Sequence, residues 1–284
     1  MSQSLKQIKN RIRSIENTRK VTSAMQMISA TKLSRIDSYL SQSRPYAQRL
    51  TILLDKLLQG RTASGNPFLR KDEAKGKILL CVVTSDNGLC GVYNNNVIRL
   101  AEEFISRYER NKVKLVVIGK KGYAYFRNYK EAVLHTYVGL NGKYSDKVSR
   151  EICKALCQAF LTAEADEVYI AYTRFKNALT NKAVVEKFLN IDCKEAQEIG
   201  YILEPNEARI LEELIPEYLS AKTRLMLLES FTSEHASRLM AMRTATENAK
   251  ELLTGLILLR NKVRQANITR EIIEIVSAAE ALKG

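Results

Sequence analysis

The stretch from Pro216 to Leu282 limits the fold more than any other part of the chain. After its first residue it contains no proline, and its only glycine is Gly255. If wholly helical it runs for roughly 65 residues, or about 100 Å at ~1.5 Å per residue, whereas helices in globular domains usually span about 8–20 residues. A helix of that length needs a partner along it, and the opposite end of the chain supplies one. There is no glycine before Gly60, and Leu5, Ile8, Ile12 and Ile15 recur at helical spacing. Thr22, Met25 and Ser29 continue nearly the same face, followed by Ile36 and Leu40. The sequence therefore predicts that the two ends pair into a shaft and that the middle forms a compact foot.

Within the last stretch, Met242, Ala245, Ala249, Leu252, Leu256, Leu259, Val263 and Ala266 follow one another at alternating spacings of three and four, the pattern of a coiled-coil seam. Ala241, Ala245 and Ala249 are small enough for another backbone to come close. Further on, Ile268, Ile272, Ile275 and Ala279 form a second lane beside Ile273 and Val276. A helix that is apolar on more than one face is surrounded by protein. The foot cannot supply that surround at the end of the chain, so other subunits are expected to sheathe it. Between the two lanes, Arg260 to Thr269 (RNKVRQANIT) forms a polar ring. There Arg264 suits bidentate contact with a carboxylate, and Gln265 and Thr269, four apart, share a face. This ring is the candidate for a specific partner contact.

The middle reads as alternating strands and helices. Lys77 to Thr84 (KILLCVVT) is an apolar, β-branched strand, followed by the loop Ser85 to Gly91. Asn94 is placed to cap a helix running to about Arg110. Lys112 to Ile118 is a second strand, Gly119 to Asn128 a turn and short helix, and Ala132 to Val138 a third strand at an edge. Ser145 to Ala165 is an amphipathic helix, and Glu167 to Thr173 and Ala183 to Ile191 are strands. Such alternation indicates an α/β unit with a largely parallel sheet. The N-terminal helix is expected to continue through Pro45 and end by Gly60, with a loop from Arg61 to Asn66. Residues 192–215 are acidic and connecting, with a short helical piece at Glu207 to Ile215, and Pro216 suits the first turn of the last helix.

The chain carries 45 basic and 31 acidic residues in 284, a net charge of +14. Residues 1–59 hold eleven basic side chains against three acidic ones, so an acidic partner is expected: nucleic acid, anionic lipid or acidic protein. Phosphate neutralisation along that helix would suit a basic coiled-coil nucleic-acid binder, although few aromatics interleave with its charges. The loop Ser85 to Gly91 sits where nucleotide-binding folds hold phosphate. It lacks G-x-G-x-x-G and a Walker lysine, and Gly119-Lys120-Lys121-Gly122 lacks the P-loop spacing. His135 and His235 have no adjacent nucleophile or metal-spaced partner and read as structural. Cys81, Cys90, Cys153, Cys157 and Cys193 are an odd, scattered set, pointing to a reducing compartment. Cys153 and Cys157 share a helix face, where packing is the reading. No catalytic, metal or cofactor site is predicted. No apolar run reaches 18 residues, so no membrane-spanning helix is expected. The basic, Ser-containing start imitates a transit peptide, but its amphipathic pattern runs on past Arg35 without a break.

Three motifs, in order, resemble the gamma subunits of F-type ATP synthases: IKNRIRSIENTRKVTSAMQMISATKL, SDNGLCGVYN, and AMRTATENAKELL followed by NKVRQANITREIIEIVSAAEAL. The likeness covers nearly the whole chain. Asn87 stands where that family usually has arginine, Ser23 where lysine is common, Arg260 where an aromatic is frequent, and Ala278 where glycine is usual. The resemblance implies a long antiparallel coiled coil of the two terminal helices (1–60 and 206–284) and a Rossmann-like α/β foot (75–192). It implies a non-catalytic rotor without cofactor, turning inside a ring of alpha and beta subunits, with the c-subunit ring and epsilon at the foot. By the same resemblance Met25 meets an acidic beta loop near the neck, and Arg264, Gln265, Thr269 and Glu271 face a beta loop higher up. The absence of a dithiol-bearing insertion and of a transit extension implies the bacterial type, peripheral on the cytoplasmic side of the plasma membrane.

Overall fold

The computed structural model describes residues 5–58, 66–69, 76–109, 112–129, 132–191 and 207–281. The predicted loop from Arg61 onward, the helix end at Arg110, the connection 192–206 with Cys193, and Leu282 lie outside them. Helix α1 spans Leu5–Leu57 and the last helix, α5, spans Glu207–Ala281. Between them lie strand β1 (Ile78–Val83), α2 (Tyr93–Ile105), β2 (Val113–Ile118), α3 (Lys120–Phe126), β3 (Val133–Tyr137), α4 (Asp146–Leu161), β4 (Glu167–Phe175) and β5 (Asn181–Leu189). The chain divides into two compact units, Met1–Ile28 with Leu239–Gly284, and Ser29–Arg238.

The first unit is a helix pair. Ile8, Ile12 and Leu253 are buried together, with Ile15, Leu256 and Val263 packed against them. Thr246 donates its hydroxyl proton to the Thr22 hydroxyl at 2.8 Å. Low numbers on α1 meet high numbers on α5, so the helices run antiparallel. From Leu252 onward the seam differs from the sequence reading at every second step. Met242, Ala245, Ala249, Leu256 and Val263 are buried or half-buried as expected, but Leu253 is buried where Leu252 is 58% exposed. Likewise Arg260 and Asn267 are half-buried while Leu259 and Ala266 are exposed. Steps of three-then-four and four-then-three both fit a heptad, and adjacent leucines satisfy either. Burial of Leu253 beside Ile8 and Ile12, and the Thr22–Thr246 hydrogen bond, select the second.

The second unit is a three-layer α/β module. Its sheet has the order β3-β2-β1-β4-β5. The first four strands are parallel and β5 returns antiparallel to β4. Every residue of β1 is buried, as a central parallel strand covered on both faces requires. Alternate side chains enter two cores. Leu79, Cys81 and Val83 join α4, the Ile36–Leu57 part of α1 and the Leu211–Phe231 part of α5. Leu80 and Val82 join Val97, Ala101 and Phe104 of α2 and Phe126 of α3. At Gly119 the chain turns from β2 into α3 at φ +94°, with the position of a Cβ only 2.3 Å from the Thr84 carbonyl oxygen.

Two expectations about helix ends are corrected. Pro216 lies inside α5, which begins at Glu207. Leu211, Ile215 and Leu219 are all buried, so one apolar face carries the helix past the proline, whose ring sits on the exposed side. Asn94 is not a cap but a residue of α2, which starts at Tyr93 without a side-chain cap. Its amide oxygen instead accepts from the Ser85 backbone N–H at 3.0 Å and its nitrogen donates to the Ser85 hydroxyl at 2.8 Å. Ser145 does stand at the start of α4, but its side chain makes no cap bond.

Candidate functional site

Two features stand out as functional: the far end of α5 in the helix-pair unit, and the rim of the sheet in the α/β unit. From Ile268 onward α5 buries nothing but keeps its apolar residues. Ile268, Ile272, Ile273, Ile275 and Val276 are 47–68% exposed. Leu252, Ile257, Leu258 and Leu259 are also exposed, roughly two to five turns earlier. Isolated exposed leucines are ordinary, but a contiguous apolar stretch of this kind marks a binding surface. Of the polar ring predicted before it, Arg264, Gln265 and Thr269 face solvent, as does Glu271, while Arg260, Asn261 and Asn267 are half-buried. The Thr269 hydroxyl donates to the Gln265 carbonyl at 3.0 Å, and Arg270 and Glu274 form a surface pair at 3.8 Å. These four candidate residues sit within two turns of one helix. Met25 does not join them; it is half-buried on α1, three residues past Thr22 and so roughly six helical turns from Arg264.

In the α/β unit, strand order reverses between β1 and β4, where open parallel sheets hold ligands outside the carboxyl ends of the strands. Here that crevice is filled by the chain itself. Residues 229–236 of α5 are all buried, as is Arg238, and the polar ones grip the rim of the sheet. Arg238 donates to the carbonyls of Asn87 (3.1 Å) and Gly88 (3.3 Å) in the loop after β1. The Ser233 hydroxyl donates to the Thr173 carbonyl at the end of β4, at 3.3 Å. Tyr93, at the start of α2, shares a 2.7 Å hydrogen bond with Ser230. His235 meets the Gly142 carbonyl at 3.1 Å through Nε2, so Nε2 carries the proton. Asp86 completes the rim by accepting backbone N–H bonds from Lys120 (3.0 Å), Gly139 (2.9 Å) and Asn141 (2.6 Å). Gly142, at φ +64°, leaves no room for a side chain: a Cβ would lie 2.6 Å from His235 Nε2.

These buried ionisable groups are held away from their usual ranges. Burial, with Arg238 and Lys32 nearby, lowers His235 to about 4, against the pull of its bond to Gly142. Burial raises the Glu234 carboxyl, and Arg238 opposes it from a close charge contact of 2.8 Å without hydrogen-bond alignment. Burial also raises Glu229, opposed by Arg44, whose Nη2 lies 2.8 Å from the carboxylate and donates to the Phe175 carbonyl at 3.0 Å. The cluster is a structural clasp. Its Ser230, Ser233, His235 and Arg238 side chains are all engaged by the rim of the sheet and its loops, and a helix fills the crevice at the strand-order reversal. His235 is structural, as its sequence context suggests, and His135 is exposed on the edge strand β3.

Residues 4–282 match the protein family described as ATP synthase. The chain is 37% identical over 287 residues to the ATP synthase gamma chain of Geotalea uraniireducens, covering 99% of each. It is 40% identical over 292 residues to that of Chlorobium phaeobacteroides, again covering 99% of each. The chain belongs to the ATP synthase gamma chain family. The fold agrees with this gamma-chain membership. It superposes on the rotor of the Euglena gracilis mitochondrial ATP synthase with a TM-score of 0.67 at 17% identity, covering 93% of this chain and 98% of that one. On the central stalk and c-ring structure of the Tetrahymena thermophila enzyme the TM-score is 0.62 at 22% identity, covering 79% and 99%.

Sequence reasoning found the exposed end of α5 and the polar ring of this gamma-family chain but missed the clasp. Glu229 to Arg238 (ESFTSEHASR) reads as an ordinary solvated helix turn. The available signal was its lack of any apolar lane in a helix otherwise provided with one.

Proposed function

We propose that this chain is the central rotating stalk of an F-type ATP synthase, coupling transmembrane ion flow to ATP synthesis and hydrolysis in an alpha–beta hexamer. The observation that carries the reading is the apolar, exposed end of α5 beyond a helix pair that is itself well packed. Such a stretch suits a bearing enclosed by other subunits. Arg264, Gln265, Thr269 and Glu271 then face a beta-subunit loop, and Met25 meets an acidic beta loop, where the eleven basic residues of the N-terminal helix supply complementary charge. The α/β unit sits on the c-subunit ring with epsilon beside it. On the same reading the association is peripheral, on the cytoplasmic side of a bacterial plasma membrane, and among the described residues no helix is long and apolar enough to cross a membrane.

On this reading the chain has no catalytic site and no cofactor of its own. It acts by presenting a different face to each beta subunit. A ligand-free element changes a neighbour's affinity only through contacts that differ between that neighbour's states, and each tenfold bias requires about 1.4 kcal/mol. One polar ring with a few charge-assisted hydrogen bonds, at about 1.5–3 kcal/mol each, is on the scale needed. The deciding experiment is co-purification of the tagged full chain with an alpha–beta hexamer, followed by coupled ATP synthesis in vesicles carrying the Arg264→Ala, Gln265→Ala double variant. Assembly at wild-type yield with synthesis lowered severalfold supports the reading. Failure of the wild-type chain to associate, or an unchanged rate in the variant, counts against the stalk or the contact respectively. The basic coiled-coil nucleic-acid binder instead requires DNA affinity with a steep salt slope.

A further inference from the structure

On the α2–α3 side of the sheet a cleft of about 420 Å³ opens beside the carboxyl end of β1. It lies between the loop after β1, the first turns of α2, and α3. Cys90, Asn94 and Ile98 form its buried floor. Lys121 and Tyr125, four apart on α3, form an exposed wall. The Lys121 ammonium lies across the loop, 3.7 Å from where a Cβ on Gly88 would stand, and no carboxylate of the described residues pairs with it. The Tyr125 ring is braced edge-on by the fully buried Phe126, with ring centroids 5.1 Å apart. On the loop side, the main-chain N–H groups of Leu89 and Gly91 donate to no acceptor among the described residues. A cation and spare donors therefore stand beside a braced aromatic ring and a partly apolar floor. Asp86 is not a wall of this cleft; its carboxylate is engaged by the N–H groups of Lys120, Gly139 and Asn141.

We propose that this cleft binds a single nucleoside phosphate, with the phosphate held by Lys121 and the base laid against Tyr125. The strand order β3-β2-β1-β4-β5 is that of sheets in which phosphate lies at the turn from the first strand into the following helix, and a dinucleotide spans both halves of such a sheet. Here residues 229–236 of α5 fill the crevice at the reversal between β1 and β4. Only the half beside β1 and β2 stays open, so one nucleotide is the limit. The size agrees, since small-molecule sites usually enclose about 300–1,000 Å³. Sites for NAD use a carboxylate to hold the ribose hydroxyls, and a basic residue instead accommodates a phosphate on the ribose. After β2 this chain has Gly119-Lys120-Lys121, which favours the phosphate. The Lys121 contact is charge-assisted, whereas stacking on Tyr125 tolerates any base, because every base has a π-face. The cleft belongs to the α/β unit and owes nothing to the exposed end of α5 on which the stalk reading rests.

The test is equilibrium dialysis of labelled AMP against the full chain, purified without other subunits. The expected result is saturable binding of one AMP per chain, with inorganic phosphate and adenosine each competing at least tenfold more weakly than AMP. Lys121→Ala and Tyr125→Ala should each weaken binding at least tenfold, while Tyr125→Phe, which keeps the ring, should bind as the wild type does. Both side chains are exposed, so circular dichroism and the thermal midpoint should be unchanged. Photolabelling of the wild type with azido-AMP should mark residues 88–98 or Tyr125, a readout that stands without any variant. No saturable binding up to millimolar AMP, labelling confined to other segments, or unchanged affinity in both alanine variants would overturn the proposal. So would inorganic phosphate that binds as tightly as AMP, which would make the cleft an anion site without a place for the base.

Discussion

His235 should make the α/β unit sensitive to acid in a predictable direction. Its Nε2–H donates to the Gly142 carbonyl at 3.1 Å, and its Nδ1 faces Arg238 Nη1 at 3.4 Å. Protonation would place a second N–H against a guanidinium, in a site where the ring is 1% exposed. The ring's pKa falls from 6.5 to about 4 on folding. The unfolded chain therefore takes up the proton first. The stabilisation is fully present above pH 6.5 and is lost as pH falls from there towards 4. At about 1.36 kcal/mol per pKa unit the whole effect is about 3 kcal/mol, of which about 2 kcal/mol is lost between pH 8 and pH 5. Glu234 acts the other way, since burial raises its carboxyl and its proton uptake favours the folded state as pH falls. The decisive quantity is therefore the difference between wild type and His235→Gln. Urea midpoints by far-ultraviolet circular dichroism should fall more steeply with acid in the wild type, by about 2 kcal/mol over that interval. Parallel pH profiles for the two proteins would refute the argument.

Three other outcomes follow from the packing. Gly119→Ala combines a φ of +94° with a Cβ 2.3 Å from the Thr84 carbonyl oxygen; it should destabilise by about 3 kcal/mol or more, read as a fall in thermal midpoint of roughly 6–12 °C. Arg44→Ala leaves Glu229 buried beside an empty position. Because the Arg44 side chain is 36% exposed, the loss should be about 2 kcal/mol, below the ~3–5 of a fully buried pair, and adding Glu229→Gln should recover part of it in the same urea titration. Ile272→Ser with Ile273→Ser removes two side chains that are 56% and 59% exposed. The stability of the free chain should stay within about 0.5 kcal/mol of wild type, while the yield of assembled alpha–beta complex drops.

The parts legible in the sequence were those governed by period and burial. The run KILLCVVT could only be a doubly covered strand, and Ile8, Ile12, Ile36 and Leu40 marked the buried face of α1. The unreadable parts were decided by contacts distant in sequence. Which of Leu252 and Leu253 enters the seam depends on α1. Asn94 has the chemistry of a cap, but Ser85 competes for it across the β1–α2 loop. Pro216 signals a helix start locally, yet Leu211, Ile215 and Leu219 bury one face on both sides of it, and tertiary packing outweighs the one lost hydrogen bond. Arg264, Gln265 and Thr269 were legible as members of a polar ring, and Glu271 came from the family resemblance alone. The clasp around Glu234 was not, because its one sign in the sequence is a gap in the apolar lane, and burial of its charged residues depends on partners distant in sequence, such as Gly88 and Gly142.

The clasp grips the rim through main-chain carbonyls: those of Asn87 and Gly88 for Arg238, Gly142 for His235, Thr173 for Ser233 and Phe175 for Arg44. A carbonyl is the same whichever side chain it belongs to. The tolerance for mutation is therefore lopsided. The loop residues at these points are free to vary provided the backbone keeps its path, except Gly142, where a Cβ would meet His235, while Arg238, His235 and Arg44 are not interchangeable with neighbours of similar size. Asn87 is a case in point. The family resemblance puts an arginine at this place, and the contact with Arg238 does not depend on which side chain stands there, because what the position contributes is its backbone oxygen.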